Sequence, residues 1–302
     1  MFNHYRTQGF ILKKTDQGES DRIFTIFTKD FGRLKLLAKA ERKIKSKLRA
    51  GLELFYLSEI EFIQGKTYKT ITDAFLIEKF QNLRRNLERL TIIYKVANDL
   101  DNFVKGEEPD EKIWHLLNET FEKLNNSSLK IENWRAKRSA SSSRSLLSAE
   151  APKLKIIYYC FFWNFISILG YKPELYFCTV CQKKLTEARK DLCARSKPEK
   201  LYFSAKEGGI ICPNCSKKFK DKIEIKPEVV KILRKILEKD WEILSRLKNI
   251  EEYLQSLETI SENYSSFICR VAWQRGERRS DSFFELEEKN DNMNGYEEKK
   301  KF

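Results

Sequence analysis

Cys178, Cys181, Cys212 and Cys215 form two C-x2-C hooks with thirty residues between them. Each hook can wrap two thiolates round one side of a tetrahedral cation, and together they complete a four-sulfur site. The hooks also continue alike, as Cys181-Gln-Lys-Lys-Leu185 and Cys215-Ser-Lys-Lys-Phe219. Four thiolates on a divalent ion carry a charge of about −2, which the paired lysines offset, while Leu185 and Phe219 can pack the two turns together. The expected occupant is one structural zinc ion. Iron on the same sulfurs and a redox dithiol are the alternatives. With four protein ligands no position stays open for water, so the spacing argues against catalytic zinc.

Other reactive residue types offer little. Cys193 lies between the hooks at a spacing that matches neither, and Cys160 and Cys269 fall on apolar helical faces, where cysteine serves as a small core residue. His4 and His115 are the two histidines, too few for a Ser/His/Asp or Cys/His site to draw on. Gly65-Lys66-Thr67 resembles the end of a phosphate loop, but Ile60 stands where the first glycine is required. Asp30-Phe31-Gly32 reads as a turn, because the other kinase elements are missing. No catalytic or cofactor-binding residue is assigned and no enzyme activity is expected. A two-metal nuclease built from scattered carboxylates is a competing reading.

The 302 residues carry 58 Lys and Arg against 44 Asp and Glu, a formal net charge of +14. The excess is local. Residues 33–49 hold eight basic residues and one acid, Glu41; residues 133–149 hold four against none, and 183–239 seventeen against eight. Clusters of one sign on an otherwise acidic scaffold suit a polyanion, because each neutralised phosphate releases counterions. Met1-Phe-Asn-His-Tyr-Arg6 is no secretory signal, and seven cysteines without one argue against a disulfide framework. The most apolar run, Ile156 to Leu169, is shorter than the ~20 residues that span a bilayer. A cytoplasmic chain without membrane contact is expected.

These residues need elements to position them. Gly9 to Lys14, Arg22 to Thr28, Arg33 to Lys39, Leu52 to Phe62 and Thr67 to Ile77 are β-branched and aromatic runs parted by turn residues. Five short strands in so short a stretch suit a closed barrel of the oligonucleotide-binding kind. Beyond Phe80 the period turns helical, with Leu83, Leu87, Leu90, Ile93, Tyr94, Ala97 and Leu100 on one face. Further helices are expected at Asp110 to Leu124, Lys153 to Leu169, Pro227 to Leu247 and Ile250 to Trp273. The serine- and arginine-rich stretch 136–150 reads as a low-complexity insertion and the end of the chain, from Glu285, as a charged tail.

Gly9-Phe-Ile-Leu-Lys13, Glu19-Ser-Asp-Arg22-Ile-Phe-Thr-Ile-Phe-Thr28, Phe31-Gly-Arg33-Leu and Ser46-Lys-Leu-Arg49 resemble the opening of the bacterial recombination mediator family RecO. Leu169-Gly-Tyr171-Lys-Pro173-Glu-Leu175, Cys178-Thr-Val-Cys181, Phe203-Ser204 and Gly208-Gly209-Ile-Ile-Cys212 extend the likeness, which covers residues 1 to about 275. Two departures stand out. Ala40 replaces the family's usual glycine after the lysine that ends the third strand, and Gln182 replaces a glycine often found after the second cysteine.

The resemblance implies an α+β chain. A five-stranded OB-type barrel at 1–80 precedes an α-helical domain at 81–285, which carries the insert 136–150 and an inserted zinc module at 176–222; a tail occupies 286–302. It also implies a DNA repair protein of the cytoplasm and nucleoid that binds single- and double-stranded DNA and anneals complementary strands. With RecR, such a protein loads recombinase onto strands coated by single-stranded DNA-binding protein, whose C-terminal tail is a further partner; no nucleotide is hydrolysed. The expected DNA contacts are Arg33, Lys35, Lys39, Arg42, Lys43, Lys45, Lys47 and Arg49, with Arg33, Lys35 and Lys39 alternating on one strand face. The alternative function is an adaptor for acidic protein tails, using Ile232, Leu233, Ile236 and Leu237 behind Lys231, Arg234 and Lys235.

Overall fold

A computed structural model describes residues 3–65, 68–126, 143–185, 200–247 and 250–274; Cys193, residues 136–142 of the serine-rich stretch and the tail 286–302 lie outside them. The expected five strands are β1 (His4–Gln17), β2 (Asp21–Thr28), β3 (Gly32–Ala38), β4 (Leu57–Ile63) and β5 (Lys69–Glu78). They close into a barrel in the order β1-β2-β3-β5-β4. β1 is long enough to serve two edges: its second half pairs antiparallel with β2 and its first half with β4, and an irregularity between Ile11 and Lys13 bends it. A short parallel pairing, Leu36 with Lys69 and Leu37 with Thr70, closes the ring. Ile11, Phe24, Ile26, Leu34, Leu36 and Phe62 are among the residues that fill it.

The fourth strand is shorter than Leu52 to Phe62. Residues 52–56 turn, with Phe55 at φ 65 and its N–H donating to the Ile11 carbonyl at 2.8 Å. Leu52 enters the barrel core while Phe55 leaves for the helical core. Leu52, Leu54 and Tyr56 alternate with Glu53 in the sequence, but this half of the run lies on a bend, and only residues 57–62 lie on the strand.

Gly9 to Leu12 of β1 read as a continuous apolar run because both faces of the strand are covered there. Ile11 faces the barrel, whereas Phe10 packs against Phe80, Trp114 and Phe121 of the helical region, with ring centroids 4.5 to 6.2 Å apart. At the other end of the contact Gly32 has φ 60, and a Cβ there would collide with the Glu108 carbonyl oxygen. Only glycine allows that approach.

The expected first helix is two. Asn86 is extended, which ends α1 (Gln81–Arg85); its side chain accepts from the Arg89 N–H to cap α2 (Leu87–Phe103). The buried stripe of α2 includes Ile92, Ile93, Val96, Ala97 and Leu100, so Leu87 and Tyr94, expected on the apolar face, are exposed. α3 (Glu111–Asn126) follows as expected. α4 (Ser143–Ile168) starts inside the stretch read as a low-complexity insertion, so residues 143–150 are helical; Leu146, Leu147 and Ala149 there are good helix formers. α4 is central: Trp163 is fully buried and donates from Nε1 to Ser261 Oγ at 3.1 Å, and Asn164 donates to the Ile236 carbonyl at 2.9 Å.

A three-stranded sheet follows, ordered β7 (Gly209–Ile211), β6 (Leu201–Ser204), β8 (Ile223–Ile225), with the one-turn helix α5 (Pro213–Ser216) between β7 and β8. Strands of three or four residues are too short to show a period. Pro227 to Leu247 is also two helices, α6 (Pro227–Leu237) and α7 (Trp241–Arg246), because Lys239 has φ 56 and Asp240 caps α7 by accepting from the Ile243 N–H. Ile232, Leu233 and Ile236 of α6 are buried core, and Arg234 donates to the carbonyls of Leu175 and Leu185. That helix face is therefore not the open groove that an acidic tail needs. α8 (Glu251–Gln274) completes the helical core. Among the described residues no helix is long and apolar enough to cross a membrane.

Candidate metal centre and basic loop

The first hook is a tight hairpin. Glu174 Oε1 accepts from the N–H groups of Tyr176 and Phe177, the Leu185 N–H donates to the Tyr176 carbonyl, and the Cys178 N–H donates to the Lys183 carbonyl. Gln182 closes the turn at φ 58, the left-handed region that glycine occupies without strain. The second hook is built differently. Cys212 follows β7 directly and precedes α5, whose Pro213 is suited to the first helical turn.

The four Sγ atoms lie within 4.8 Å of one another, and Cys181 and Cys212 are 3.8 Å apart. Zinc–sulfur bonds of about 2.3 Å in a tetrahedron place sulfurs ~3.8 Å apart, so the cluster has the size a thiolate-bound cation requires. Leu185 and Phe219 both pack on the cluster made by Cys178, Ile211 and Cys212. Lys183, Lys184, Lys217 and Lys218 are exposed around it. Burial pushes the Cys178 thiol up, but the N–H groups of Cys181, Cys212 and Val180 converge on it and bring it down to about 6. Cys215, hydrogen-bonded with the other three cysteines and facing the Cys178 charge, is pushed up to about 12. A cation that neutralised the Cys178 charge would ease the Cys215 proton off as well.

The second candidate lies between β3 and β4. The Ala40 N–H donates to Asp21 Oδ1 at 2.7 Å and the Arg42 N–H to the Ser20 carbonyl at 3.0 Å, which pins the loop to the β1–β2 turn. The Ala40 N–H also holds the Asp21 carboxyl below the usual carboxylate range. Glu41, the one acid in the basic run, is buried and paired with Arg22 at 3.0 Å. With its backbone held, the loop turns Lys39, Lys43, Lys45, Lys47 and Arg49 outward, and Ile44 is 92% exposed. Lys35 projects from the outer face of β3, since Leu34 and Leu36 fill the barrel.

Two of the eight expected DNA contacts are differently engaged. Arg33 is nearly buried and pairs with Asp101 of α2, which Lys13 also approaches at 3.8 Å. Its alternation with Lys35 holds, but β3 faces α2 at that end, so Arg33 joins the barrel to the helices. Arg42 reaches back to Asp16 at 3.6 Å. The partner Asp101 carried no sequence signal, because it is far from Arg33 along the chain. The exposed Tyr176, Phe177 and Val180 beside the first hook were also missed. Their only signal was apolar character next to a cysteine ligand.

Residues 1–80 match the family described as Recombination protein O N terminal, and residues 144–267 match Recombination protein O C terminal. The chain is 32% identical over 254 residues to the DNA repair protein RecO of Dehalococcoides mccartyi, covering 84% of this chain and 86% of that one. It is 28% identical to the protein of the same name from Roseiflexus sp., over 81% of this chain and 74% of the relative, and 27% identical to that of Acetivibrio thermocellus, over 87% and 90%.

Proposed function

This chain belongs to the RecO family of DNA repair proteins, and on that premise we propose that it is a non-catalytic recombination mediator working on single- and double-stranded DNA. The observation that carries the reading is the pinned loop. Lys35, Lys39, Lys43, Lys45, Lys47 and Arg49 make no side-chain ion pair among the described residues, while the loop backbone is held at Ala40 and Arg42 by Asp21 and Ser20, with Glu41 buried between them on Arg22. Fixed, unpaired cations attract phosphates without reading bases. A surface that neutralises two backbones lowers their mutual repulsion, which is the physical basis of strand annealing.

One zinc ion on Cys178, Cys181, Cys212 and Cys215 acts structurally in this reading, locking the two hooks of a module at 176–222 within a helical domain that runs from 81 to 285 behind the barrel at 1–80. The partners are RecR and the acidic C-terminal tail of single-stranded DNA-binding protein, which admit the protein to coated strands. The location is the cytoplasm, at the nucleoid. The deciding experiment is annealing of complementary strands, bare and coated by single-stranded DNA-binding protein, with and without RecR. Acceleration on both substrates is expected; none on bare strands sinks the DNA-contact reading, and none on coated strands sinks the mediator role. Incubating labelled DNA with Mg²⁺ or Mn²⁺ should leave it uncut.

A further inference from the structure

The metal module presents a surface that its structural duty does not explain. Phe177 and Lys184 are antiparallel bridge partners across the first hook, so an aromatic ring and an ammonium stand side by side on one face of the hairpin. Phe177 is 40% exposed, and its ring meets no other ring among the described residues. Val180 is exposed at the hairpin tip. On the neighbouring hook Lys217, Lys218 and Lys220 are exposed. None of these lysines, nor Lys183 or Lys184, has an ion pair or hydrogen-bond partner for its ammonium group among the described residues. Nearby cations that are engaged look different: Lys222 donates to the Ser216 carbonyl at 2.6 Å, and Arg234 lies over the Tyr176 ring.

Charge supports the same point. A four-thiolate divalent centre carries about −2, and Asp221 is the acid among the described residues of the second hook's tail. Five unpaired lysines exceed what those groups neutralise. A flat exposed ring set among cations fits single-stranded nucleic acid, whose bases stack on aromatic faces while its phosphates meet ammonium groups.

The geometry points to a second single-strand contact on the paired hooks: Phe177 stacks under a base, and Lys183, Lys184, Lys217 and Lys218 take adjacent phosphates. One chain then holds two strands, one on the loop between β3 and β4 and one on the metal module. This rests on the loop being the first contact, and it extends annealing from charge screening to simultaneous capture of both strands.

The test uses the full chain with its metal and counts short labelled single strands of ~8 nucleotides bound per chain. A hook variant carries Phe177→Ser with Lys183, Lys184, Lys217 and Lys218 changed to alanine. A loop variant carries alanine at Lys39, Lys43, Lys45 and Lys47. Two strands per chain are expected for the unaltered protein and one for each variant, and the strand left on the hook variant keeps the loop site's salt slope. A hook variant that still takes two strands overturns the inference and leaves the loop reading intact. A loop variant that takes two, beside a hook variant that takes one, overturns the loop reading instead. If the hook variant keeps both strands but loses an aspartate-rich peptide ending in phenylalanine, the surface belongs to a protein partner and the inference fails. Should the hook variant lose its metal, Phe177→Trp decides: bound strand should quench the new indole, and unchanged emission at saturation refutes stacking.

Discussion

Arg33 of β3 and Asp101 of α2 form an ion pair that joins the barrel to the helical domain, with both side chains close to fully buried. A cation counted toward the DNA stripe is thus part of the internal frame. Breaking a buried pair leaves an uncompensated charge and typically costs ~3–5 kcal/mol. Arg33→Ala should therefore lower the unfolding free energy, measured in urea, by a few kcal/mol while leaving the salt slope of DNA binding unchanged. A shallower slope with unchanged stability would return Arg33 to the DNA surface.

The loop lysines should behave in the opposite way. Changing Lys39, Lys43, Lys45 and Lys47 to alanine removes four exposed cations and no packing. The slope of log K against log salt for duplex DNA should become shallower by about 3 to 4, with the urea midpoint unmoved. Equilibrium binding across a salt series reads this directly.

Ala40 and Gln182 occupy the left-handed region, at φ 53 and 58. A side chain there costs roughly 1–2 kcal/mol, against a smaller entropic loss for glycine. Ala40→Gly and Gln182→Gly should each stabilise the fold by up to ~1 kcal/mol in thermal or urea unfolding. Glycine, which the resemblance leads one to expect at both positions, would suit that backbone.

Asp99 is buried on α2, accepting from the Tyr158 hydroxyl at 3.1 Å. Burial pushes its carboxyl up to about 7, against the smaller opposing pull of that hydrogen bond and of Lys95. In the unfolded chain the group ionises near the ordinary value, so the folded state binds the extra proton between about pH 4 and 7. Stability must fall as pH rises through that window, by as much as ~4 kcal/mol. Asp99→Asn keeps an acceptor for Tyr158 and removes the ionisation. Its unfolding free energy should vary less between pH 5 and 8, and it should exceed the parent's at pH 8.

Metal removal should act on the hooks before the barrel. A chelator, or Cys212→Ser, should lower the melting midpoint and expose the Leu185 and Phe219 contacts to hydrogen exchange, while amides of β1 and β2 stay protected. Loss of protection in the barrel would show that the module supports the whole chain.

Much of this was written locally. The C-x2-C hooks, the five β runs and the basic stretch at 33–49 depend on neighbours a few residues apart, and spacing alone exposes them. Leu52 to Phe62 misled because alternation survives on a bent backbone, and Phe55 at φ 65 leaves no compositional trace. The break at Asn86 was legible only to capping logic, and the strands at 201–204, 209–211 and 223–225 are too short for any period to register.

The sequence by itself determined which residues could hold a metal and where positive charge accumulates, because covalent spacing brings those groups together. Tertiary structure alone decided which cations remain free. Arg33 and Lys35 are indistinguishable two residues apart on one strand face; only the approach of α2, 68 positions along the chain from Arg33, neutralises one and leaves the other in water. The same holds at the hooks, where folding leaves Phe177 uncovered beside Lys184 and draws Arg234 onto Tyr176. Charge is a property of the residue, but its availability depends on whatever distant segment the fold sets against it.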